Sequence, residues 1–415
     1  MPAPGQQPPP PGTPTLHPVV KATGWVSFFT DLGSELIYPL LPEFVTETLK
    51  APKTVFGLIE GLAEGTPAIV RYFSGQLSDR VADRKWLVLA GYTLSSVVKP
   101  FIGLTKFVLL AVAPYLVLAL RLLDKIGKGI RGAPRDALVA DFSEGRQGRA
   151  FGYQRAMDHA GAVGGGLAAF VLLGWLGMDI TWAIVLSFIP GMLTVLVIVL
   201  FVRDRPERAA SPLAGAAAAP YGIGDLGRTY KRYLVAAVLF SLANSSDAFL
   251  LIRARELGLE LVYIPLAWAV LHVVKTATSY VGGGLSDRVG RKPVLVFGWV
   301  LYAAVYAGFA WSTHPAAAWA LFPVYGVFFG ATEGVAKAFV ADVAPAGARG
   351  RAFGWLGMLE GLLLIPTSLL AGYLWDRTGS GHVPLLLNAC FAAAAAAWMM
   401  AFVPSGRAAV RGEGA

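Results

Sequence analysis

GGLSDRVGRKPVL, residues 283–295, begins on glycines at the end of an apolar run, turns through Ser-Asp-Arg into a short basic loop, and re-enters an apolar run. A near copy, GQLSDRVADRKWL, occupies residues 75–87. Two further pairs follow in the same order: Val139-Ala-Asp141 with Val340-Ala-Asp342, and GRAFG at 148–152 with GRAFG at 350–354. Three matches at offsets of 208, 201 and 202 residues indicate an internal duplication. Repeats of this kind place a ligand site near mid-depth between the halves.

The rest of the chain says what surrounds these turns. Of 415 residues, 55% are hydrophobic and 15% charged, more apolar surface than one soluble core of this length hides. A membrane span needs roughly 20 predominantly apolar residues. Twelve such segments are expected, near 22–45, 55–78, 86–105, 113–140, 149–174, 181–202, 230–252, 261–285, 293–312, 317–340, 350–374 and 383–403. The reading is an all-α membrane protein with twelve transmembrane helices in two pseudo-symmetric six-helix bundles, 22–202 and 230–403. Residues 203–229 are the linker, and 1–21 and 404–415 are tails, the first disordered. The net charge of +9 comes mainly from Lys and Arg in loops on one side of this topology, so it is a positive-inside signature and not a nucleic-acid footprint. That side, with both termini, is expected in the cytoplasm, and the protein as a monomer in a bacterial inner (plasma) membrane. The Pro- and Gln-rich first 18 residues lack the pattern of a secretory signal. The single Cys390 excludes a disulfide framework and is expected to be a small buried hydrophobe.

With these motifs in place the chain resembles the major facilitator superfamily, whose loop signature G-x-L-a-D-R-x-G-R-K-x-x-L is met at every fixed position by residues 283–295. The first copy departs at Ala82 and Asp83, where the family has Gly and a basic residue. The fourth span carries RLLDKIGKG at 121–129, similar to the family pattern R-x-x-Q-G-x-G-x-G, with Asp124 and Lys125 in place of Gln and Gly. In the family that arginine is associated with proton coupling, which implies the same for Arg121. Gly152, Gly161 and Gly165 keep the spacing of the family's antiporter signature on the fifth span, but Gly166 stands where its proline would be. The resemblance implies alternating access and a gate built on Gly75, Asp79, Arg80, Gly283, Asp287 and Arg288, whose charges pair across the cytoplasmic face in one state and separate in the other.

Charges inside the spans are the candidate site, because each costs a few kcal/mol at membrane depth unless it faces a partner or a water cavity. Asp31 and Glu35 are four apart on one helix face, as are Glu60 and Glu64, and like charges so placed repel. Asp124, Lys128, Arg131 and Arg135 form a mostly cationic stripe on the fourth span. Proton coupling is expected of Asp31, Glu35, Glu60, Glu64, Arg121, Asp124 and Arg131. The substrate cavity is expected to use Lys128, Arg135, Arg155 and Asp158 from the first half. From the second it draws on Asn244, Asp247, His272, Lys275, Glu333, Lys337 and Glu360. The blander alternative is that these pairs only hold helices together, and that Arg71, Lys99 and Lys125 snorkel to the interface. By the repeat, Asp247 answers to Glu35 and Glu360 to Asp158. The first half then handles protons, and the second, more apolar and aromatic, contributes more to substrate contact.

His159 and His272 stand in no metal-binding spacing and read first as packing or hydrogen-bonding residues. No P-loop is present, and neither a cofactor nor a bound metal is expected. The function expected is secondary active transport, as proton-coupled efflux of a small molecule such as a drug, siderophore or metal-related compound. The alternative is proton-coupled import of a small organic anion. A membrane-embedded enzyme or a receptor on the same fold is less favoured, since no nucleophile, base or metal constellation gathers at one interface.

Overall fold

A computed structural model describes residues 16–81, 83–143, 146–204, 226–345 and 348–404, with only the backbone of Asp79, Arg80 and Tyr280. Most of the expected tails and linker, and the side chains of Asp79 and Arg80, lie outside the described residues. The described residues form twelve long helices and no strand. The first half contributes α1 (Pro18–Ile37), α2 (Lys53–Arg80), α3 (Arg84–Leu104), α4 (Ala113–Asp141), α5 (Gln147–Gly174) and α6 (Ile180–Phe201). The second contributes α7 (Arg228–Glu256), α8 (Ile264–Val289), α9 (Arg291–Trp311), α10 (Ala316–Val343), α11 (Arg349–Thr378) and α12 (His382–Phe402). Nine of these are long and apolar enough to cross a membrane by composition. The other three, α1, α2 and α4, fall short because they carry the interior charges: Asp31 and Glu35, Glu60 and Glu64, and the stripe from Arg121 to Arg135.

Helix ends differ from the expected spans where local chemistry intervenes. α1 starts at Pro18, inside the stretch expected to be tail, because proline suits the first helical position and His17 Nδ1 accepts from the Val19 N–H at 3.2 Å. It stops at Ile37, ahead of Pro39, and the chain resumes as a short helix and a π-turn over Leu41–Glu43 and Phe44–Thr48. α7 is broken at Asn244–Asp247, within a span expected to be continuous. Polar groups meet the freed backbone, as the membrane interior demands. Tyr302 Oη donates to the Ala243 carbonyl (2.9 Å) and the Ser246 N–H to Ser368 Oγ (3.0 Å). Cys390 is exposed on α12, a correction to its expected burial. On a helix facing lipid an apolar side chain gains nothing further by turning inward.

On the face bearing the basic loops, the repeat recurs in three dimensions. Arg84 Nη1 pairs with Asp141 (2.8 Å) and Lys85 Nζ donates to the Val199 carbonyl (3.0 Å). In the second half Arg291 Nε pairs with Asp342 (2.8 Å) and Lys292 Nζ donates to the Met400 carbonyl (2.9 Å). Arg84 therefore answers to Arg291 and Lys85 to Lys292. The first loop has not lost its basic residue; it is one residue longer. Asp83 caps α3 through the Lys85 N–H (2.8 Å), at the place where Gly290 turns the second loop with φ 97°. These pairs lie within each half.

Between the halves the described residues leave that face open. A Cβ added at Gly152 on α5 or Gly354 on α11 would meet nothing within 4 Å. The opposite face is shut. α2 and α11 run backbone to backbone there: a Cβ at Gly61 would stand 3.0 Å from Ile365 Cα, and one at Gly65 2.7 Å from the Gly361 carbonyl oxygen. Gly57 meets the Ser368 carbonyl and Gly372 the Lys53 carbonyl along the same seam. Gly166 of α5 packs likewise on α8: a Cβ added there would stand 2.8 Å from the Pro265 carbonyl oxygen, so a larger residue would block the contact. Polar latches close the end of this seam. Asp376 of α11 accepts from the Lys53 and Thr54 N–H groups (3.0 and 2.8 Å) and from Thr54 Oγ1 (2.6 Å), capping α2 from the other half. Arg255 grips Glu43 with two bonds of 3.0 Å.

Candidate functional site

A cavity of about 380 Å³ lies between the halves, lined by α1 to α4 on one wall and by the broken α7, α8, α10 and α11 on the other. The first wall is a network of ion pairs. Glu60, fully buried on α2, takes two bonds from Arg121 of α4, at 2.6 and 3.1 Å. One turn along, Glu64 bonds Lys125 and lies 3.6 Å from Arg121. Asp124 accepts from Ser95 and lies 3.6 Å from Arg121 and 3.8 Å from Lys99, whose Nζ donates to Ser34 at 2.7 Å. The repulsion expected between Glu60 and Glu64 is thus offset by Arg121 standing against both. Helical spacing explains the match, since carboxylates four apart on α2 meet cations four apart on α4. Lys99 and Lys125 do not snorkel; they are buried in this network. Arg71 alone of the three is exposed, paired with Asp136 at 2.6 Å.

The second wall is aromatic and hydroxyl-bearing. Trp268 Nε1 donates to Glu35 across the cavity (2.9 Å), and the Trp268 ring lies 5.2 Å from that of Tyr38. His272 Nε2 is 3.7 Å from Glu35, and neither ring nitrogen of His272 makes a hydrogen bond. Tyr325 Oη donates to Asp247 at 2.5 Å. Lys275 lies over the Phe329 ring (4.4 Å) and pairs with Glu333 (2.9 Å), which also binds Arg155 of the first half (2.7 Å).

The cavity thus gathers Asp31, Glu35, Glu64, Arg121, Asp124, Lys128, Arg131, Asn244, Asp247, His272 and Lys275 of the expected site residues, with Glu60 directly behind. Arg155 and Glu333 sit beside it. Arg135 is turned to Asp136 (3.0 Å) and Ser27 (3.4 Å) and does not line it. Asp158, Lys337 and Glu360 are also outside the lining, and Lys337 and Glu360 are exposed. Of the expected gate, Asp287 is 73% exposed, with Arg291 at 3.9 Å, Arg288 is exposed, and nothing approaches the Cα face of Gly283. Gly75 packs loosely, its would-be Cβ 3.6 Å from Ala133. Sequence reasoning missed Ser34, Ser95, Trp268 and Tyr325, which carry no positional signal of their own. It also missed the latch residues Glu43, Arg255 and Asp376, whose places at helix ends beside turn residues are a weak signal. Among the described residues no group of three or more His, Cys, Asp or Glu is arranged to hold a metal ion.

Known proteins share this arrangement. The chain is 34% identical over 362 residues to an uncharacterized MFS-type transporter of Methanocaldococcus jannaschii, covering 86% of this chain and 88% of that one. Over 109 residues, 26% of each chain, it is 38% identical to the class H tetracycline resistance protein of Pasteurella multocida. The solved structure of a D-xylose–proton symporter superposes with a TM-score of 0.72 at 15% identity, covering 94% of this chain and 98% of that one, a likeness of fold alone. The model of the Major Facilitator Superfamily matches residues 23–365, and with the duplicated loops, the twelve helices and the cavity between two halves it identifies the chain as a member of that superfamily of membrane transporters.

Proposed function

We propose that this transporter is proton-coupled, works by alternating access, and exports a small molecule such as a drug, siderophore or metal-related compound in exchange for protons. One observation carries the coupling. Beside a network in which Glu60, Glu64 and Asp124 are each matched by Lys or Arg, three cavity carboxylates have no Lys or Arg within ion-pair distance among the described residues: Asp31, Glu35 and Asp247. A carboxylate in a water-accessible cavity without a fixed cation can bind and release a proton as its surroundings change. Alternating access is supported by the asymmetry of closure, one face latched and the other open, which is what a two-state rocking element requires. The basic loops support a cytoplasmic open face, with both termini on that side, in a bacterial inner membrane. The partial likeness to a tetracycline resistance protein favours export.

Resistance and uptake screening of a deletion strain supplies the transported compound, and proteoliposomes test the coupling. With protons as the exchanged ion, that compound accumulates in vesicles whose lumen is acid relative to the outside. Accumulation only with an acid exterior sinks export in favour of import with the proton. Equal accumulation under both gradients sinks proton coupling altogether.

A further inference from the structure

Charge pairing along α4 leaves two cations over. Arg121 is matched by Glu60 and Lys125 by Glu64, and Lys99, reaching in from α3, is matched by Asp124. Lys128 and Arg131, one turn further along the same helix face, line the cavity with no hydrogen bond or ion pair to any described carboxylate. Lys128 is open to the cavity. Arg131 is 7% exposed; its guanidinium carbon lies over the Tyr92 ring, 4.1 Å from the centroid, and its Nη1 is buried with no hydrogen-bond partner among the described residues. Asp31 lines the same cavity but is bonded to neither cation.

A guanidinium that lines a cavity while one of its nitrogens is buried without an acceptor is costly unless something supplies compensating negative charge. The Tyr92 ring backs the guanidinium carbon, so the charge is held before a ligand arrives, and Lys128 adds a second, mobile positive charge. We propose that Lys128 and Arg131 form the anion-binding end of the substrate site, and that the transported compound carries a carboxylate or similar oxyanion. Trp268, Phe328 and Phe329 line the same cavity from the other half and supply apolar surface for the remainder of such a molecule. The inference rests on reading this cavity as the transport site, and not on the direction of transport.

The test uses the full chain in lipid nanodiscs, titrated calorimetrically with benzoate and with its neutral isostere benzamide. Saturable benzoate binding is expected, with benzamide at least tenfold weaker. Lys128→Gln should weaken benzoate at least fivefold, and Lys128→Gln with Arg131→Gln should abolish it. Because Arg131 is buried, the thermal unfolding midpoint of each variant is read alongside, and Lys128→Gln, at an open position, stands if the double variant misfolds. Benzamide binding as well as benzoate, benzoate unaffected by Lys128→Gln, or no benzoate binding at millimolar concentration each overturn the anion site. Transport is read separately in proteoliposomes. Gradient-driven flux of the screened compound without benzoate binding removes the anion site and leaves the transporter. Benzoate binding that depends on Lys128 in vesicles showing no flux under either gradient does the reverse.

Discussion

The two halves share a scaffold and fill it differently. At the basic-loop face they are nearly superimposable in chemistry, Arg84 with Asp141 against Arg291 with Asp342, and a lysine of each half on a backbone carbonyl of its last helix. At the depth of the cavity the likeness is gone. The first half presents interlocked ion pairs on α2, α3 and α4. The second presents tyrosines: the Tyr302 and Tyr306 rings stack (4.1 Å), and the Tyr302 hydroxyl bonds the Ala243 carbonyl at the break in α7. Duplication thus preserved what holds a helix pair at the membrane surface and released what lines the cavity. The difference also separates two kinds of stability, one resting on charge compensation and one on aromatic packing.

The largest expected effect tests the charged wall. Glu60→Ala leaves Arg121 buried without its closest partner, and breaking such a pair costs roughly 3–5 kcal/mol. The loss should fall at the lower end, because Glu64 and Asp124 remain 3.6 Å from Arg121. Replacing both partners, Glu60→Leu with Arg121→Met, should recover most of it, and thermal unfolding in detergent reads both. If Glu60→Ala unfolds like the unsubstituted chain, charge does not hold this wall. A smaller effect is expected where the halves meet. Asp376→Ala removes the cap on α2, about 1–2 kcal/mol, and should shift the population toward opening of the latched face by several-fold, read as a longer spin-label distance between the α1–α2 and α11–α12 loops.

In the aromatic wall a single hydroxyl should matter less. Tyr325→Phe keeps the ring and removes one bond to Asp247, for about 1 kcal/mol in the unfolding midpoint. A loss as large as that of Glu60→Ala would erase the distinction between the walls. The smallest difference is between repeat mates. Arg84, 4% exposed, should cost more on change to Gln than Arg291, 26% exposed, by about 1 kcal/mol or less, since the exposed pair is screened. Equal losses would mean that the extra loop residue in the first half is neutral.

How much of this was legible without coordinates depended on period. The twelve helices were visible because apolar runs of span length need no tertiary context, and most observed ends fall within a few residues of the expected ones. The break at Asn244–Asp247 was not, since a short polar interruption in an apolar run reads equally as an interior polar patch. Glu60, Glu64 and the α4 stripe could be placed on helix faces from spacing alone, but not matched to each other, because pairing depends on which helices adjoin. The ungapped alignment of the two loops hid the equivalence of Arg84 and Arg291, which only the shared Asp partners disclose. Arg135 kept the periodicity of the stripe yet turned away to Asp136, since the neighbouring carboxylate was nearer than the cavity.

The glycine seam between α2 and α11 has a mechanical consequence. Gly57, Gly61, Gly65 and Gly372 bring main chain against main chain, so the nearest neighbour of each across the seam is a backbone atom. Interlocked side chains must change rotamer before two helices can pivot; bare backbones act as a smooth bearing. In the rocking proposed above, the latches of Asp376 and Arg255 at the end of that seam are bonds that must break before the closed face opens. A methyl group at Gly61 would work as a wedge in that bearing, jamming the swing without touching any residue that meets the cargo.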